Sequence, residues 1–161
     1  QPLRASNRTS SYLRILQIAH MDLTEILTIT GQSGLFRLHG QKGNGLIVSG
    51  LDGSKKRFVS SRQHVFTPLE NITVYTEVDS LPLKEIFQRI KQHETEHPVV
   101  PTSASEAELR DWFTAVVPEH DASRVYKNDI KKIVRWYNEL DQQNMVTAET
   151  SSDDEQTTDD D

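Results

Sequence analysis

The segment from residue 34 to residue 76 constrains the fold of this chain most, because short β-prone runs alternate there with turn-forming residues. The runs cover residues 34–40, 45–51, 55–61 and 72–76. Gly43-Asn44-Gly45 and Asp52-Gly53 supply residues that tolerate positive φ, which tight hairpins need. Pro68 fits between strands better than inside one, since it lacks the N–H that a sheet ladder uses. The pattern predicts a small antiparallel, barrel-like sheet of the SH3 or Tudor type.

Alternating apolar residues within these runs predict the core of the sheet. The predicted core positions are Phe36, Leu38, Leu46, Val48, Phe58, Val65, Ile72 and either Val74 or Tyr75. Upstream, Leu23, Ile26 and Leu27 would share one face of a helix, with Asp22 as a plausible cap. We interpret residues 22–27 as a short helix or turn that leads into the first strand.

Before Ser80 apolar side chains recur at every second residue, and after it they recur about every 3.6 residues, which is the period of an α-helix. Pro82 suits the first turn of a helix, where its missing N–H costs nothing. The apolar stripe that follows consists of Leu83, Ile86, Phe87 and Ile90. This stripe predicts an amphipathic helix that covers the sheet. Two prolines within residues 97–104 exclude a helix there, so we place a hinge in that segment.

A second, helical unit is predicted over residues 105–146. Ser105 and Glu108 form a capping-box pattern at its start. Two apolar stripes with helical spacing follow: Leu109, Trp112, Phe113 and Val116, and then Ile130, Ile133, Val134, Tyr137 and Leu140. The chain is therefore predicted to be an α+β protein. Its parts are an upstream extension (1–20), a β domain with its closing helix (21–96), the proline hinge (97–104), the helical unit (105–146) and an acidic tail (147–161) that is disordered by composition.

Charge and cysteine content limit the possible functions. The net charge is −6, but residues 147–161 carry seven acids and residues 1–20 carry three bases, so residues 21–146 have a net charge of −2. A strongly basic nucleic-acid binder is excluded, although a local basic patch is not. The absence of cysteine excludes disulfides, thiolate zinc sites and cysteine nucleophiles. With no apolar run of membrane-spanning length, we expect a soluble cytoplasmic protein without membrane contact.

One dense basic stretch falls within the predicted sheet. It consists of Lys55, Lys56 and Arg57 next to Phe58, with Arg62 and His64 downstream and Lys42 in the preceding hairpin loop. On a small barrel, a basic strand edge beside an aromatic ring can hold phosphates and bases. The alternative is that these lysines are the solvated ends of an edge strand, whose charges prevent edge-to-edge aggregation, and that the phenylalanine is core.

A second basic surface is predicted on the last helix. Its cations are Lys127, Lys131, Lys132 and Arg135, and Trp136 lies on or near the same face. This face could dock an acidic partner or a nucleic-acid backbone. It could equally be the solvated face that any amphipathic surface helix presents opposite its core stripe.

Residues 93–97 match the H-E-x-x-H pattern, in which two histidines bind zinc and the glutamate activates a water. Here His93 and His97 are the possible ligands and Glu94 the possible base. The match lies at the polar end of a predicted helix, Pro98 follows at once, and no downstream segment offers a convincing third ligand. We therefore interpret it as a solvated helix end and predict no metal centre; adventitious metal binding by the two histidines is the more modest alternative.

Several short sequences resemble an uncharacterised family of small proteins from the Bacteroidetes group. They include Gly34-Leu35-Phe36, Asn44-Gly45-Leu46-Ile47-Val48, Leu69-Glu70-Asn71-Ile72, Leu109-Arg110-Asp111-Trp112-Phe113 and Asp129-Ile130-Lys131-Lys132-Ile133. The resemblance covers about residues 21–142. It implies a two-part organisation and a bacterial cytoplasmic setting, and it carries over no catalytic residue, because the family is catalogued as a domain of unknown function.

These observations lead to the hypothesis of a non-enzymatic binding or adaptor protein. We expect a protein partner, with a nucleic-acid chain as a further possible partner, and no cofactor. The candidate binding residues are Lys42, Lys55, Lys56, Arg57, Arg62, Lys131, Lys132 and Arg135. Two alternatives remain open: a metal-dependent hydrolase that uses residues 93–97, and a purely structural, self-associating scaffold.

Overall fold

The computed structural model describes residues 22–148 and shows an α+β protein. In this part of the chain the strands are β1 (Ile26–Ile29), β2 (Phe36–Lys42), β3 (Gly45–Gly50), β4 (Arg57–Ser60), β5 (Phe66–Pro68), β6 (Thr73–Tyr75) and β7 (Ser80–Pro82). The helices are α1 (Leu83–His93), α2 (Glu106–Val116) and α3 (Lys127–Gln142), and a short 3-10 helix covers Leu69–Asn71. The predicted α+β class is confirmed. The predicted N-terminal extension and nearly all of the acidic tail lie outside the described residues.

The first five strands form one antiparallel sheet in the order β4-β3-β2-β1-β5. A register shift between Leu38 and Gly40 bends the long β2–β3 hairpin. On one face of the sheet, five side chains form a small buried cluster: Leu27, Ile29, Phe36, Val48 and Val59. Strands β4 and β5 lie at the two edges and are not paired with each other, so the sheet is open and the predicted barrel closure is not confirmed.

Strand β1 occupies the segment for which a helix or turn was predicted. The turn is present, because the Asp22 carboxylate accepts the Thr24 N–H at 3.0 Å, but the helix is wrong. Ile26 joins the main core and Leu27 joins the small cluster, so the two neighbours lie on opposite faces of the sheet. A strand that is buried on both faces has no alternating polar residues, and a short apolar run of this kind is easily mistaken for one face of a helix.

Prolines mark two further differences from the sequence prediction. Pro68 is the last residue of β5 and pairs with Leu27, so it lies inside a strand. Proline is tolerated there because β5 is a short strand at the edge of the sheet. An edge strand can lack one N–H without the loss of a hydrogen bond between central strands. Pro82 ends β7 and directly precedes α1 instead of lying in its first turn. The two-stranded β6–β7 sheet therefore leads straight into the helix.

The three predicted helices are confirmed, and they share one large core with part of the sheet. Ser105 and Glu108 cap α2 reciprocally, at 3.3 Å and 3.1 Å. The apolar stripes of all three helices join one cluster, which also contains Leu23, Ile26 and Leu35 from the sheet side. Val99 and Val100, from the predicted hinge, pack against this cluster. Residues 97–104 thus connect α1 and α2 across a continuous core, and the predicted division into domains stays a prediction.

Some predicted core residues are exposed. Phe58 is 51% exposed and Val65 64% exposed, so these two predictions are wrong. The buried member of the pair Val74 or Tyr75 is Val74, at 8% exposure. In β4 the inward residue is Val59, because the register is shifted by one residue from the expected one, and a shift of one exchanges the two faces of a strand.

A half-buried carboxylate ties the sheet to α3. Glu139 Oε2 accepts the Leu35 N–H at 2.9 Å. A Cβ added at Gly34 would lie only 2.6 Å from Oε1 of the same carboxylate. Gly34 has φ +88°, which also favours glycine. Burial raises the pKa of Glu139, while the Leu35 N–H favours its charged form. None of the helices formed by residues 22–148 is long and apolar enough to cross a bilayer.

Candidate binding grooves

A basic groove opens at the tip of the β2–β3 hairpin, beside the edge strand β4. Its volume is about 440 Å³. We call it the hairpin groove, and it is lined by Lys42, Gly43, Asn44, Phe58, Ser60 and Arg62. Two candidate residues that are far apart in the sequence, Lys42 and Arg62, are thereby brought together.

Backbone geometry builds this groove. Gly43 has φ +55° in the turn, and Gly45 follows at the start of β3, opposite both Lys42 and Ser60. A Cβ on Gly45 would overlap the Val59 carbonyl oxygen and meet the Phe58 ring at 2.6 Å. The Asn44 carbonyl accepts the Ser61 N–H at 2.7 Å, which holds the chain beyond β4 against the turn. Only glycine at position 45 lets the phenylalanine ring lie this close to the turn.

Phe58 gives the hairpin groove an aromatic wall. Because Val59 points into the small cluster, Phe58 points to the opposite, solvent-facing side of β4. Half of its surface is exposed, although a large apolar side chain is usually buried. A half-exposed ring in a groove that a lysine and an arginine also line can stack on a flat ligand group while the cations contact an anion.

The electrostatics of the sheet favour anions. Residues 23–69, which we call the sheet half, carry six Lys and Arg and two Asp and Glu, a net charge of +4. Residues 72–148, the helical half, carry nine bases and thirteen acids, a net charge of −4. No cation of the sheet half lies within 4 Å of a carboxylate oxygen of any residue in the range 22–148.

The predicted basic stretch is divided by the fold. Lys55 and Lys56 are exposed in the loop before β4 and do not line the hairpin groove. Arg57 points to the other face of the sheet, where its guanidinium lies 5.5 Å from the centre of the Phe36 ring and donates to the Gln32 side chain. These two contacts give Arg57 a structural role in that face.

Two further cavities share Lys132 and Trp136 in their walls, and we call the pair the helix groove and each cavity a lobe of it. Its apolar lobe has a volume of about 280 Å³ and its polar lobe about 310 Å³. The apolar lobe is lined mainly by Ile72, Thr73, Val74, Tyr75, Leu83, Val125, Ile133 and Trp136. The polar lobe is lined by residues 28–34, which are the end of β1 and the start of the β1–β2 loop, and by Lys132, Arg135 and Trp136. Lys132 and Trp136 border both lobes.

Some of the predicted basic residues of α3 line the helix groove, and others do not. Lys132 and Arg135 line it, whereas Lys127 and Lys131 line neither lobe. Among the described residues, no carboxylate oxygen lies within 4 Å of Lys132 or Arg135. The sequence did not indicate residues 28–34 as part of a site, because this segment carries no charged residue.

The H-E-x-x-H segment holds two helices together. His93 is the last residue of α1, and the His97 N–H donates to the His93 carbonyl oxygen at 2.7 Å. The Glu94 carboxylate accepts the Tyr137 hydroxyl at 2.8 Å and lies 3.5 Å from Lys91 Nζ. Burial and this carboxylate raise the pKa of Tyr137. Within residues 22–148, no group of three or more His, Asp or Glu side chains is arranged to hold a metal ion.

Comparisons with known proteins agree with the two-part sequence resemblance. Residues 23–69 match the model of a domain of unknown function (DUF5606), and residues 72–140 match that of another (DUF6852). No curated protein matches the chain. A solution NMR structure of a Bacteroides vulgatus protein is 34% identical, with a TM-score of 0.60, and the match covers 74% of this chain and 85% of that one. The chain therefore belongs to this uncharacterised, Bacteroidetes-type family of small α+β proteins.

Proposed function

We propose that this protein is a non-enzymatic binding protein that holds a single nucleic-acid strand in its hairpin groove. The observation that carries the proposal is the position of Phe58, half exposed on an edge strand in a groove that Lys42 and Arg62 also line. A base stacks on the exposed ring, and the two cations contact the phosphates on either side of it. Stacking of one base on an aromatic side chain is worth ~1–3 kcal/mol and tolerates any base.

The distribution of charge supports this binding mode. The +4 charge of the sheet half attracts a polyanion to β4, and the −4 charge of the helical half repels it from most other surfaces. Lys55 and Lys56, exposed before β4, can extend the track along the backbone. Asn44 and Ser60 place polar groups beside the ring, where they can bond to a base edge or a sugar.

The proposal extends to the fold: we propose that the five-stranded sheet forms a small barrel of the SH3 or Tudor type. Strands β1 to β4 form a meander, β5 returns to pair with β1, and the 3-10 helix follows directly. This order suits a partly open five-stranded barrel, and nucleic-acid-binding barrels present ligands along such exposed strands. Nuclear Overhauser contacts between β4 and β5 would support barrel closure, and their absence in an assigned spectrum would reject it.

The test is fluorescence anisotropy with a labelled twelve-nucleotide single strand at 50 and 200 mM salt. Phe58→Ala is expected to weaken binding by ~5- to 100-fold, because the stacking surface is lost. The double variant Lys42→Glu/Arg62→Glu is expected to abolish most binding and to flatten its salt dependence.

The matched control reverses two charges in the helical half, in Lys84→Glu/Lys127→Glu. Both positions lie in the first turn of a helix, where an acid is favourable, so the control should fold normally. It is expected to bind within about twofold of wild type. An equal loss in both double variants would indicate a general charge effect, and no binding by the wild-type protein would reject the proposed function.

A second candidate is an adaptor role through a protein partner, on a different surface. Val78 in the β6–β7 turn is 97% exposed, and Tyr75 and Tyr126 are 52% and 63% exposed. The Arg124 guanidinium lies 4.5 Å from the centre of the Tyr75 ring. Tyrosine and arginine are enriched among the residues that dominate binding at protein interfaces. In this proposal the sheet half contacts nucleic acid and this surface contacts protein, in the bacterial cytoplasm.

Photo-crosslinking in the native host tests the adaptor role. A photoreactive phenylalanine analogue at Val78 is expected to give a discrete protein adduct that survives nuclease treatment. The same residue at Thr114, which is exposed on α2, is the matched control. Adducts from both positions, or from neither, would reject a partner at this surface.

A further inference from the structure

We infer that the helix groove is a binding site for a small amphiphilic anion: a ring or short acyl body that carries one carboxylate, phosphate or sulfonate group. The site is distinct from the hairpin groove, with which it shares no lining residue. The inference is therefore independent of nucleic-acid binding. It rests on an apolar lobe and a basic lobe that meet at Trp136.

The apolar lobe fits the body of such a ligand. It lies between β6 and α3, and Ile72, Val74, Leu83, Val125 and Ile133 supply aliphatic walls. The charged residues on its rim already have partners. The Asp129 carboxylate accepts the Tyr126 N–H at 2.9 Å, and Arg124 pairs with Asp121 at 2.8 Å. Uncommitted charge at this lobe therefore comes from Lys132, which also borders the other lobe.

The polar lobe fits the anionic group. Lys132 and Arg135 stand one turn apart on α3 and, among the described residues, neither has a carboxylate within 4 Å. The facing β1–β2 loop contains Gly31, with φ +76°, where an added Cβ would meet nothing within 4 Å. The amides of Gly31 and Ser33 donate to no other residue in the range 22–148. Two cations and unbonded backbone amides make a receptor for an oxyanion.

The size of the helix groove fits a small molecule better than a macromolecule. The two lobes, of about 280 and 310 Å³, together fall within the ~300–1,000 Å³ typical of small-molecule sites. A stable protein partner would instead cover ~800 Å² of this chain. Trp136 and Lys132 line both lobes, so a ligand that fills both would contact these two side chains.

The probe is 8-anilinonaphthalene-1-sulfonate, and N-phenyl-1-naphthylamine, the same ring system without the sulfonate, is its uncharged counterpart. Binding is followed by amide and indole NMR shifts. Trp136 is expected to shift saturably, and Trp112, which is buried in the main core, is expected to stay in place. The sulfonate should bind roughly tenfold tighter than the uncharged ring, because charged groups strengthen its hydrogen bonds.

Variants separate the two lobes. Lys132→Gln/Arg135→Gln should remove the roughly tenfold advantage of the sulfonate and leave the uncharged ring unaffected. Lys127→Gln/Lys131→Gln removes the same charge from the same helix outside both lobes and should change nothing. Thr73→Tyr fills the apolar lobe from β6 and should weaken both probes. Circular dichroism confirms that each variant is folded, since the sulfonate also binds partly unfolded proteins.

Four results would overturn the inference. Equal affinity of the wild-type protein for the two probes would show that the groove does not recognise the anionic group. NMR shifts that map away from Trp136 would show that the probes bind elsewhere. Displacement of the sulfonate by a twelve-nucleotide strand in wild type, lost in Lys132→Gln/Arg135→Gln, would make this a nucleic-acid surface instead. Weaker probe binding at higher protein concentration would assign the groove to a second copy of the chain. Phe58→Ala is expected to leave both probes unchanged, so failure of the nucleic-acid proposal is measured separately.

Discussion

The two halves of the molecule use their charged residues differently. In the helical half, acids and bases pair with each other: Arg89 with Glu85 and Glu119, Lys91 with Glu94 and Asp141, Arg110 with Glu106, and Arg124 with Asp121. These are all the ion pairs between described residues. The sheet half has six cations and no such pair.

The comparison separates the source of stability from the anion recognition that we propose. The helical half contributes most of the large core, and two of its six ion pairs, Arg89–Glu119 and Lys91–Asp141, connect separate segments. The sheet half has a small cluster of five buried side chains and an excess of positive charge along its edge strand. Cations that lie more than 4 Å from every carboxylate oxygen of residues 22–148 can contact an external anion, so we propose that stability comes mainly from the helical half and that anions are recognised by the sheet half and by the cations of the helix groove.

The largest expected effect contrasts two phenylalanines that the sequence pattern had placed together in cores. Phe87 is fully buried in α1, with its ring centre 6.4 Å from that of Tyr137. Phe87→Ala should lower the free energy of unfolding by ~3–5 kcal/mol, because it leaves a cavity in the main core. Phe58→Ala should cost at most ~1 kcal/mol, since half of that side chain is already in water. Urea denaturation of both variants measures the difference; similar losses would contradict the assignment of Phe58 to recognition.

The next prediction concerns two glycines of the β2–β3 hairpin. Gly45→Ala should cost ~1–3 kcal/mol, because its Cβ would collide with the Val59 carbonyl and the Phe58 ring. Gly40→Ala should be neutral or stabilise by up to ~1 kcal/mol, because nothing lies within 4 Å of the added Cβ. Thermal unfolding compares the two variants directly. If both are neutral, the turn adapts easily, and the tight support of Phe58 by Gly45 is wrong.

The helices were the most predictable part of the fold. Each carries an apolar stripe long enough to repeat several times, and α2 also has the Ser105–Glu108 capping box. The strands β1, β5 and β7 contain only three or four residues, which is too short for a period to be recognised. Phe58 shows the same limit, because a one-residue error in register exchanged it with Val59.

The loss of stability at high pH should arise in the helical half, from ionisation of Tyr137. Burial and the Glu94 carboxylate raise its pKa above the ~10 of an unfolded tyrosine. A raised pKa stabilises the fold below pH ~10, and that contribution is lost progressively as the pH rises further. Stability measured from pH 9 to 11 should therefore fall in wild type and fall less steeply in Tyr137→Phe. Identical profiles would remove Tyr137 as the cause.

The smallest expected effect is at low pH, again in the helical half. Hydrogen bonds from Ser123 and the contact with Arg124 lower the pKa of Asp121 from 3.8 to about 2. A lowered pKa stabilises the fold above the unfolded value, and the contribution disappears as the pH falls from about 4 to about 2. The Asp121 carboxyl resonance in a heteronuclear NMR titration should show this shift, and Arg124→Gln should move it part of the way back. A midpoint near 3.8 in wild type would contradict the contact.

The candidate sites were less predictable than the helices, for a geometric reason. The sequence identified Lys42, Arg62, Lys132 and Arg135 as candidates, but neither groove is local in the chain. The hairpin groove joins residues 42–44 to residues 58–62, and the helix groove joins three segments that are up to about a hundred residues apart. Spacing along the sequence cannot show which cations converge, or that Arg57 points to the other face of the sheet.

The most direct test of the division between the halves is an NMR titration of the isotope-labelled protein with a twelve-nucleotide single strand. Amide shifts should concentrate at residues 42–45 and 57–62, grow at low salt, and be absent from α2 and the outer face of α3. The same titration of Phe58→Ala should show smaller shifts in the same residues. Shifts centred on the helical half, or a wild-type spectrum that does not change, would contradict the claim that recognition belongs to the sheet.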